Sequence, residues 1–164
     1  MSHPVLEERP LDHGDALNLI RQAVAEAPGP EAAAQRAVEE LHERFPHYDW
    51  VGIYWVDTNG TDLVLGPWIG PEATEHTRIP IGVGICGAAA ASGQTEIVDD
   101  VTADQRYLAC FATTRSEIVV PMLVEGQVVG EIDIDGSDPG AFTETDRLFL
   151  EEIAALLGPL RPRQ

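Results

Sequence analysis

The chain has 164 residues, of which 44% are hydrophobic, and this length fits one domain with a buried core. Its formal net charge of −18 comes from 28 acidic residues against 10 arginines, without a lysine, and such a surface repels phosphate backbones and excludes nucleic acid as a partner. No apolar run approaches the roughly 18 residues that a membrane span needs. The start Met1–Pro4 lacks the pattern of a secretory signal, so we expect a cytoplasmic protein without membrane contact.

Two helices are predicted before residue 46. Residues 1–10 carry no periodic pattern and are expected to form a loose tail, which leaves residues 11–160 as a single domain. The apolar residues that recur at helical spacing are Leu17, Ile20, Val24 and Ala27 in the first helix, and Ala34, Val38, Leu41 and Phe45 in the second. Pro28 and Pro46 end these patterns, because proline lacks the amide that a helix interior requires.

The middle of the chain is rich in β-branched and aromatic residues, which favour strands. The predicted strands are Trp50 to Val56, Leu63 to Ile69, Thr77 to Ile81, Thr95 to Val98, Ile118 to Val124 and Val128 to Ile134. Turn signals at residues 57–60 and 125–127 join two pairs of them as hairpins. An alanine-rich stretch, Gly84 to Ser92, predicts a short helix, and residues 99–114 are irregular.

The chain closes with a predicted helix whose N-cap is Thr143, with Asp146 three residues later in a capping-box pattern. Phe149, Ile153 and Leu156 form its apolar stripe, and the Gly-Pro pair at 158–159 ends it. Helices at both ends of a run of hairpin-linked strands predict an α+β fold with a central, mainly antiparallel sheet.

Three acidic residues, Glu131, Asp133 and Asp135, alternate with apolar residues in the last predicted strand. Side chains along a strand alternate between its two faces, so the three carboxylates share one face. One interpretation is a solvated face of an acidic protein. The other is a surface that binds a cation such as a substrate ammonium, because aspartate is disfavoured in strands and adjacent like charges cost stability unless a cation meets them.

The only two cysteines are Cys86 and Cys110, and in the cytoplasm we expect them to be free or catalytic rather than a standing disulfide. Cys86 lies near the predicted start of a helix, where the helix terminus favours the thiolate and lowers the thiol pKa. The alternative for Cys86 is a small buried residue. Cys110 lies between Arg106 and Arg115, either of which could stabilise a thiolate; its alternative is a packed loop residue.

No metal site is predicted from the sequence. The histidines are His3, His13, His42, His47 and His76. None of them shares a ligand-like spacing with a cysteine, which argues against a zinc site. A nucleotide-binding glycine fingerprint is also missing, because the glycine pair at residues 82 and 84 lacks the later glycine and the parallel strand context.

Six short segments follow one another in an order that matches one known family. They are Trp50–Tyr54, Leu63–Pro67, Thr77–Pro80, Gly84–Ala90, Ser116–Pro121 and Ile132–Asp135. Together they resemble the GAF-domain family, and within it the free methionine-(R)-sulfoxide reductases. The resemblance covers about residues 14–158. It implies a GAF domain that works as a homodimer, without a bound cofactor and with an external reductant of the thioredoxin type.

The resemblance also implies roles for individual residues. Cys110 matches the catalytic cysteine and Cys86 the second cysteine, in its glycine turn. The substrate-binding group that the resemblance implies is Glu117, Asp133, Asp135 and, as a pocket aromatic, Trp50. Reductases of this family typically carry a third cysteine, and His76 occupies that position here. The usual Gly-His-Ile-Ala-Cys-Asp around the catalytic cysteine is replaced by Gln-Arg-Tyr-Leu-Ala-Cys-Phe at residues 105–111.

The implied reaction is the reduction of free methionine-(R)-sulfoxide through a cysteine thiolate and disulfide cycle. Glu117 would protonate the sulfoxide oxygen, Cys110 would attack the sulfur, and Cys86 would form a disulfide with the resulting sulfenic acid. Because His76 replaces the third cysteine, a second interpretation stays open. In that interpretation the chain is a non-catalytic GAF module that binds a small ligand in signalling.

Overall fold

The computed structural model describes residues 12–109 and 111–162, and within these ranges it contains four α-helices and six strands. The helices are α1 (His13–Glu26), α2 (Pro30–Arg44), α3 (Gly84–Ser92) and α4 (Glu144–Leu157). The strands are β1 (Trp50–Val56), β2 (Asp62–Ile69), β3 (Arg78–Pro80), β4 (Glu96–Val98), β5 (Ser116–Val124) and β6 (Gln127–Gly136). The predicted tail, residues 1–10, lies outside the described ranges.

All six strands pair antiparallel in one sheet, in the order β3-β2-β1-β6-β5-β4. The predicted α+β class with a mainly antiparallel sheet is therefore confirmed. Each predicted strand is present, and its ends move by no more than two residues. The largest shifts are at the start of β5 and the end of β6, because Ser116 and Glu117 pair with Gly136 and Asp135.

The sheet separates two apolar layers. On one face, α1, α2 and α4 pack against inward side chains of the strands such as Ile132 and Ile134. Ile153 of α4 is fully buried in this layer, as its helical stripe predicts, whereas Leu156 is only partly buried. The other face carries a smaller layer that includes α3. Because Ile132 and Ile134 point to the first layer, their neighbours along β6 point to the α3 face.

Asp146 joins three segments of the first layer through one carboxylate. It accepts hydrogen bonds from the Tyr48 hydroxyl at 2.6 Å, from the Thr143 amide at 2.9 Å and at 3.0 Å from His47 Nε2, and His13 Nε2 lies 3.4 Å away. The predicted capping box at the start of α4 is therefore confirmed. Burial raises the pKa of Asp146, but these donors outweigh it and hold the pKa below its usual range.

No helix in the described ranges has both the length and the hydrophobicity that crossing a bilayer requires.

Candidate functional site

Three rows of side chains cross the centre of the sheet on the α3 face. Cross-strand partners in an antiparallel sheet point to the same face, so the register defines each row. From β1 through β6 to β5, the rows are Trp50–Asp135–Glu117, Gly52–Asp133–Val119 and Tyr54–Glu131–Pro121. An acidic side chain lies in the middle of each row, and Glu117 adds a fourth beside Asp135. The predicted common face of the β6 carboxylates is confirmed.

The four acidic residues are all buried, and together we call them the acidic row: Glu117, Glu131, Asp133 and Asp135. The exposed fraction is 0% for Glu131, 2% for Asp135, 3% for Asp133 and 4% for Glu117. The interpretation of a solvated acidic face is therefore wrong. Strand alternation could place the carboxylates on one face, but only the packing of the α3 layer over that face removes them from water.

Several oxygens of the acidic row lack a hydrogen-bond partner among the described residues. They are both carboxylate oxygens of Glu131 and one oxygen each of Asp133 and Asp135. Burial raises the pKa of all four side chains, and repulsion from Asp133 further raises the pKa of the other three. A buried, unpartnered carboxyl group is costly, so it indicates a function other than stability.

Cys86 lies in α3 and faces the acidic row. Its thiol is free and buried, and burial, followed by the charges of Asp133, Glu131 and Glu117, raises the thiol pKa well above its usual range. Of the two interpretations of Cys86, the small buried residue is confirmed, whereas the lowering of the pKa by the helix terminus is wrong, since burial and four carboxylates outweigh the helix dipole. At rest Cys86 is a neutral thiol.

Gly87 explains how α3 approaches the sheet so closely. A Cβ atom at this position would lie 2.7 Å from the carbonyl oxygen of Pro80 and 2.9 Å from the amide nitrogen of Gly82. Only glycine fits without moving the backbone at residues 80–82. The sequence Cys-Gly at 86–87 thus places the thiol and permits the contact that buries it.

Trp50 forms an aromatic wall beside Asp135. Its ring stacks on Trp68 with a centroid distance of 6.1 Å and lies 5.8 Å from the ring of Phe111. The indole covers Gly52, where a Cβ atom would meet the ring at 2.3 Å. Trp68 and Phe111 are not among the pocket residues predicted from the sequence. Register could have found Trp68, because it pairs with Gly52, whereas Phe111 lies in an irregular segment.

The predicted catalytic cysteine, Cys110, lies outside the described residues. Its chain neighbours are nevertheless near the acidic row, since Phe111 touches the Trp50 ring. His76, at the position of the usual third cysteine, has its Nε2 atom 3.4 Å from the carbonyl oxygen of Ala109. Arg106 pairs with Asp104 at 2.8 Å and Glu96 at 3.2 Å, so its charge is already engaged.

Two concavities differ in what they could bind. A groove of about 480 Å³ runs beside β4, lined by exposed and half-buried residues including Asp99, Asp104 and Arg106, and it contains no member of the acidic row. A cavity of about 20 Å³ is lined by Trp50, Asp135 and other residues near Phe111. The smaller cavity holds about one water. Of the two, only the smaller one adjoins a member of the acidic row.

Three ligand atoms that could hold a metal ion converge in the same place. One atom each from Cys86, Glu117 and Asp133 lies within 4.8 Å of the others, and all three side chains are buried. No metal site is predicted from the sequence, because no histidine has a ligand-like spacing to a cysteine. The three residues lie on different elements, so no local spacing could reveal them.

Known proteins resemble this chain in sequence and in structure. The GAF-domain family profile matches residues 29–159. Free methionine-R-sulfoxide reductase of Escherichia coli (strain K12) is 39% identical over 117 residues, which cover 71% of this chain and 68% of that protein. The X-ray structure of free methionine-R-sulfoxide reductase from Neisseria meningitidis in complex with its substrate is 40% identical, with a TM-score of 0.84 over 90% of this chain and 87% of that one.

A third relative is the type II free methionine-R-sulfoxide reductase from Thermoplasma acidophilum. It is 38% identical, with a TM-score of 0.74 over 89% of this chain and 94% of that one. The sheet order, the profile match and these likenesses define the class of protein: the chain belongs to the GAF-domain family. Within that family it belongs to the subgroup of the free methionine-R-sulfoxide reductases.

Proposed function

We propose that residues 11–160 form one catalytic domain that reduces free methionine-(R)-sulfoxide to methionine. The observation that carries this proposal is the acidic row, four buried carboxyl groups packed against a free thiol and an aromatic wall. A small cationic substrate would supply the charge that the row lacks. Relatives that bear the name of this activity are about 40% identical to the chain.

In this proposal Asp133 and Asp135 bind the substrate ammonium. Each has an unpartnered buried oxygen, and a cation placed there would favour the ionised form of both. The nitrogen of a peptide-bound methionine sulfoxide is a neutral amide and would leave the two carboxylates without compensation. The geometry therefore favours the free amino acid over a residue within a peptide. Trp50 and Phe111 would contact the methylthio end.

Glu117 would act as the acid. Burial, followed by Asp133 and Asp135, raises its pKa, so the carboxyl group can hold a proton for the sulfoxide oxygen at neutral pH. The Cys110 thiolate would attack the activated sulfur, and methionine and a Cys110 sulfenic acid would result. Condensation with the Cys86 thiol would release water and leave one disulfide. In total, two thiols and one sulfoxide give one thioether, one disulfide and one water.

The state of Cys86 fits the second step better than the first. A neutral, buried thiol is a poor nucleophile toward a free substrate, but it is protected until a sulfenic acid forms beside it. An external dithiol of the thioredoxin type would then reduce the disulfide. We also propose that the protein works in the cytoplasm as a homodimer, which sedimentation velocity at assay concentrations will test.

Substrate entry requires local opening of the site. The cavity at Trp50 and Asp135 has room for about one water, far less than an amino acid needs. Its wall includes Pro71 and Phe111, both of which lie outside the regular elements. We propose that these two segments move outward when the substrate binds.

The activity is tested by incubating the reduced protein with free methionine-(R)-sulfoxide and dithiothreitol and quantifying methionine by amino-acid analysis. We expect turnover of this epimer, and little with the (S) epimer or with N-acetylated methionine sulfoxide. Asp133→Asn should lower kcat/KM by roughly 100-fold, the loss typical when one partner of a buried charge pair is removed. Equal rates for free and N-acetylated substrate would refute the role of the carboxylates.

The cysteine cycle is tested by counting thiols by mass spectrometry after a single turnover without reductant. The wild type should lose two thiols, whereas Cys86→Ser should stop at a sulfenic acid on Cys110. Full thioredoxin-dependent turnover by Cys86→Ser would show that Cys86 does not resolve the intermediate. If both thiols stay reduced and no methionine forms, the protein is a ligand-binding GAF module instead.

A further inference from the structure

The acidic row contains more carboxyl groups than one substrate ammonium can contact. A substrate held by Asp133 and Asp135 carries a single positive charge in that region. Glu131 remains fully buried with both oxygens unpartnered among the described residues, and the Cys86 thiol stays next to Glu117 and Asp133. This surplus of ligand atoms around one point requires an explanation of its own.

We propose that Cys86, Glu117 and Asp133 form a binding site for a thiophilic divalent cation, of which Zn²⁺ is the physiological example, and that this cation blocks the substrate site. Each residue contributes one ligand atom, and the three atoms lie within 4.8 Å of one another. The unpartnered oxygen of Asp135 is a second, independent observation, because it is buried and lies opposite Glu117 in the register.

The chemistry of the three ligand atoms selects the ion. One sulfur with two carboxylate oxygens suits Zn²⁺ or Cd²⁺, whereas Mg²⁺ and Ca²⁺ prefer sites built only from oxygen. A tetrahedral zinc ion holds sulfur and oxygen ligands about 3.3–3.6 Å apart, so the side chains have to converge by at most about 1.5 Å. Three protein ligands leave a fourth position, which water or Asp135 can fill.

The three residues come from separate elements, and this gives the site its rigidity. Glu117 is held on β5 and Asp133 on β6, while Cys86 approaches from α3, which packs on both strands. Strand pairing fixes the two carboxylates, and the close packing at Gly87 fixes the helix. An ion therefore meets ligands that need only small rotations.

Binding of such an ion and binding of the proposed substrate exclude each other, because both use Asp133. The ion would also convert Cys86 into a metal-bound thiolate that is unable to condense with a sulfenic acid. The inhibition rests on the proposed function, whereas the binding does not. A protein without reductase activity could still hold the ion.

The test uses the full-length reduced protein with the substitution Cys110→Ser, so that Cys86 is the only thiol. Cd²⁺ is titrated in a large excess of Mg²⁺, which occupies exposed carboxylates, and the ultraviolet charge-transfer band from thiolate to cadmium is recorded. We expect one equivalent of Cd²⁺ per chain and displacement of the band by Zn²⁺. The further substitution Cys86→Ala should abolish the band.

Glu117→Gln and Asp133→Asn should each raise the dissociation constant at least about tenfold. Glu31→Gln, which changes an exposed carboxylate of α2 on the opposite face of the sheet, should leave it unchanged. The carboxamide variants keep the shape of the buried side chains and remove charge, so they stay testable even if Cys86→Ala does not fold. Absence of the band would overturn the proposed site. So would a dissociation constant in Glu117→Gln and Asp133→Asn equal to that of the Cys110→Ser parent.

The inhibition is measured separately, with chelated buffers that set the concentration of unbound Zn²⁺. Zn²⁺ should raise the KM for free methionine-(R)-sulfoxide without lowering kcat at saturating substrate. If no turnover is seen in any condition but the cadmium band follows the expected pattern, the proposed function fails and the metal site stands. If turnover is normal and unaffected by Zn²⁺ above the measured dissociation constant, the inhibitory role fails.

Discussion

Two regions of this protein bury carboxylate groups, and they treat them in opposite ways. The Asp146 carboxylate accepts hydrogen bonds from Tyr48, Thr143 and His47, and its pKa is lowered. The acidic row on the other face of the sheet has few donors, and the pKa of each member is raised. The number of donors around each carboxylate, rather than burial alone, accounts for the difference.

The comparison separates structure from function. A buried carboxylate with several donors stabilises the fold, because it closes a helix cap and joins three segments through one side chain. A buried group of acids with few donors costs stability, and proteins retain such groups where a ligand uses them. Asp146 is therefore a structural residue, and the acidic row is the proposed binding site.

The largest effect on stability is expected from the apolar packing around Asp146. Ile153 lies on the same helix and is fully buried. Ile153→Ala should lower the free energy of unfolding by about 2–5 kcal/mol, because it leaves a cavity in the core. Urea denaturation measures this value, and Leu156→Ala is the matched control, with a smaller loss since Leu156 is only partly buried. A loss below about 0.5 kcal/mol for Ile153→Ala would mean that α4 is not docked as described.

The second largest loss of stability is expected when the carboxylate of Asp146 is removed. Asp146→Ala strands the buried Tyr48 hydroxyl and uncaps α4, so the free energy of unfolding should fall by roughly 2–4 kcal/mol. Activity of the folded fraction should be retained, because Asp146 lies on the far face of the sheet from Cys86. A variant with unchanged stability but lost activity would reverse the assignment of the two regions.

A substitution in the acidic row should raise the free energy of unfolding instead of lowering it. Asp133→Asn removes a buried charge that repels Glu117, Glu131 and Asp135, and its amide can donate to neighbouring oxygens. Thermal and urea unfolding of the ligand-free protein should show a gain on the order of 1 kcal/mol, together with the loss of activity stated above. A destabilised Asp133→Asn would contradict the view that the row costs stability.

The smallest effect is the pH dependence that distinguishes the regions. A raised carboxyl pKa in the folded state gives stability that is full below the unfolded pKa of about 4 and is lost as the pH rises through the folded value. The acidic row should therefore make the ligand-free protein less stable as the pH rises above about 4. The lowered pKa of Asp146 acts in reverse, with stability present above about 4 and lost as the pH falls.

Equilibrium unfolding at several pH values, with the wild type compared with Asp133→Asn and with Asp146→Asn, isolates the two contributions. The difference between wild type and Asp133→Asn should grow with rising pH, and the difference between wild type and Asp146→Asn should shrink with falling pH. If neither difference in the free energy of unfolding changes with pH, the electrostatic explanation of the two regions is wrong.

Local patterns were sufficient for much of the fold. Alternation and helical spacing predicted every helix and strand of the described ranges, because each depends on neighbours a few residues away. They also placed Glu131, Asp133 and Asp135 on one face. For Cys86 the sequence left a lowered thiol pKa and a small buried residue as alternatives, because the helix start is visible in the sequence and the four carboxylates beneath the helix are not.

The sequence by itself determined the elements, the common face of the β6 acids and the motifs of the family, since these follow from the order of residues along one strand or helix. Only the tertiary structure decided that water is excluded from this face. Burial arises when α3 and the aromatic side chains of Trp50, Trp68 and Phe111 close over the sheet. Contacts between segments far apart in the chain therefore turned a row of ordinary acids into unpartnered groups with raised pKa values, because water no longer reaches them.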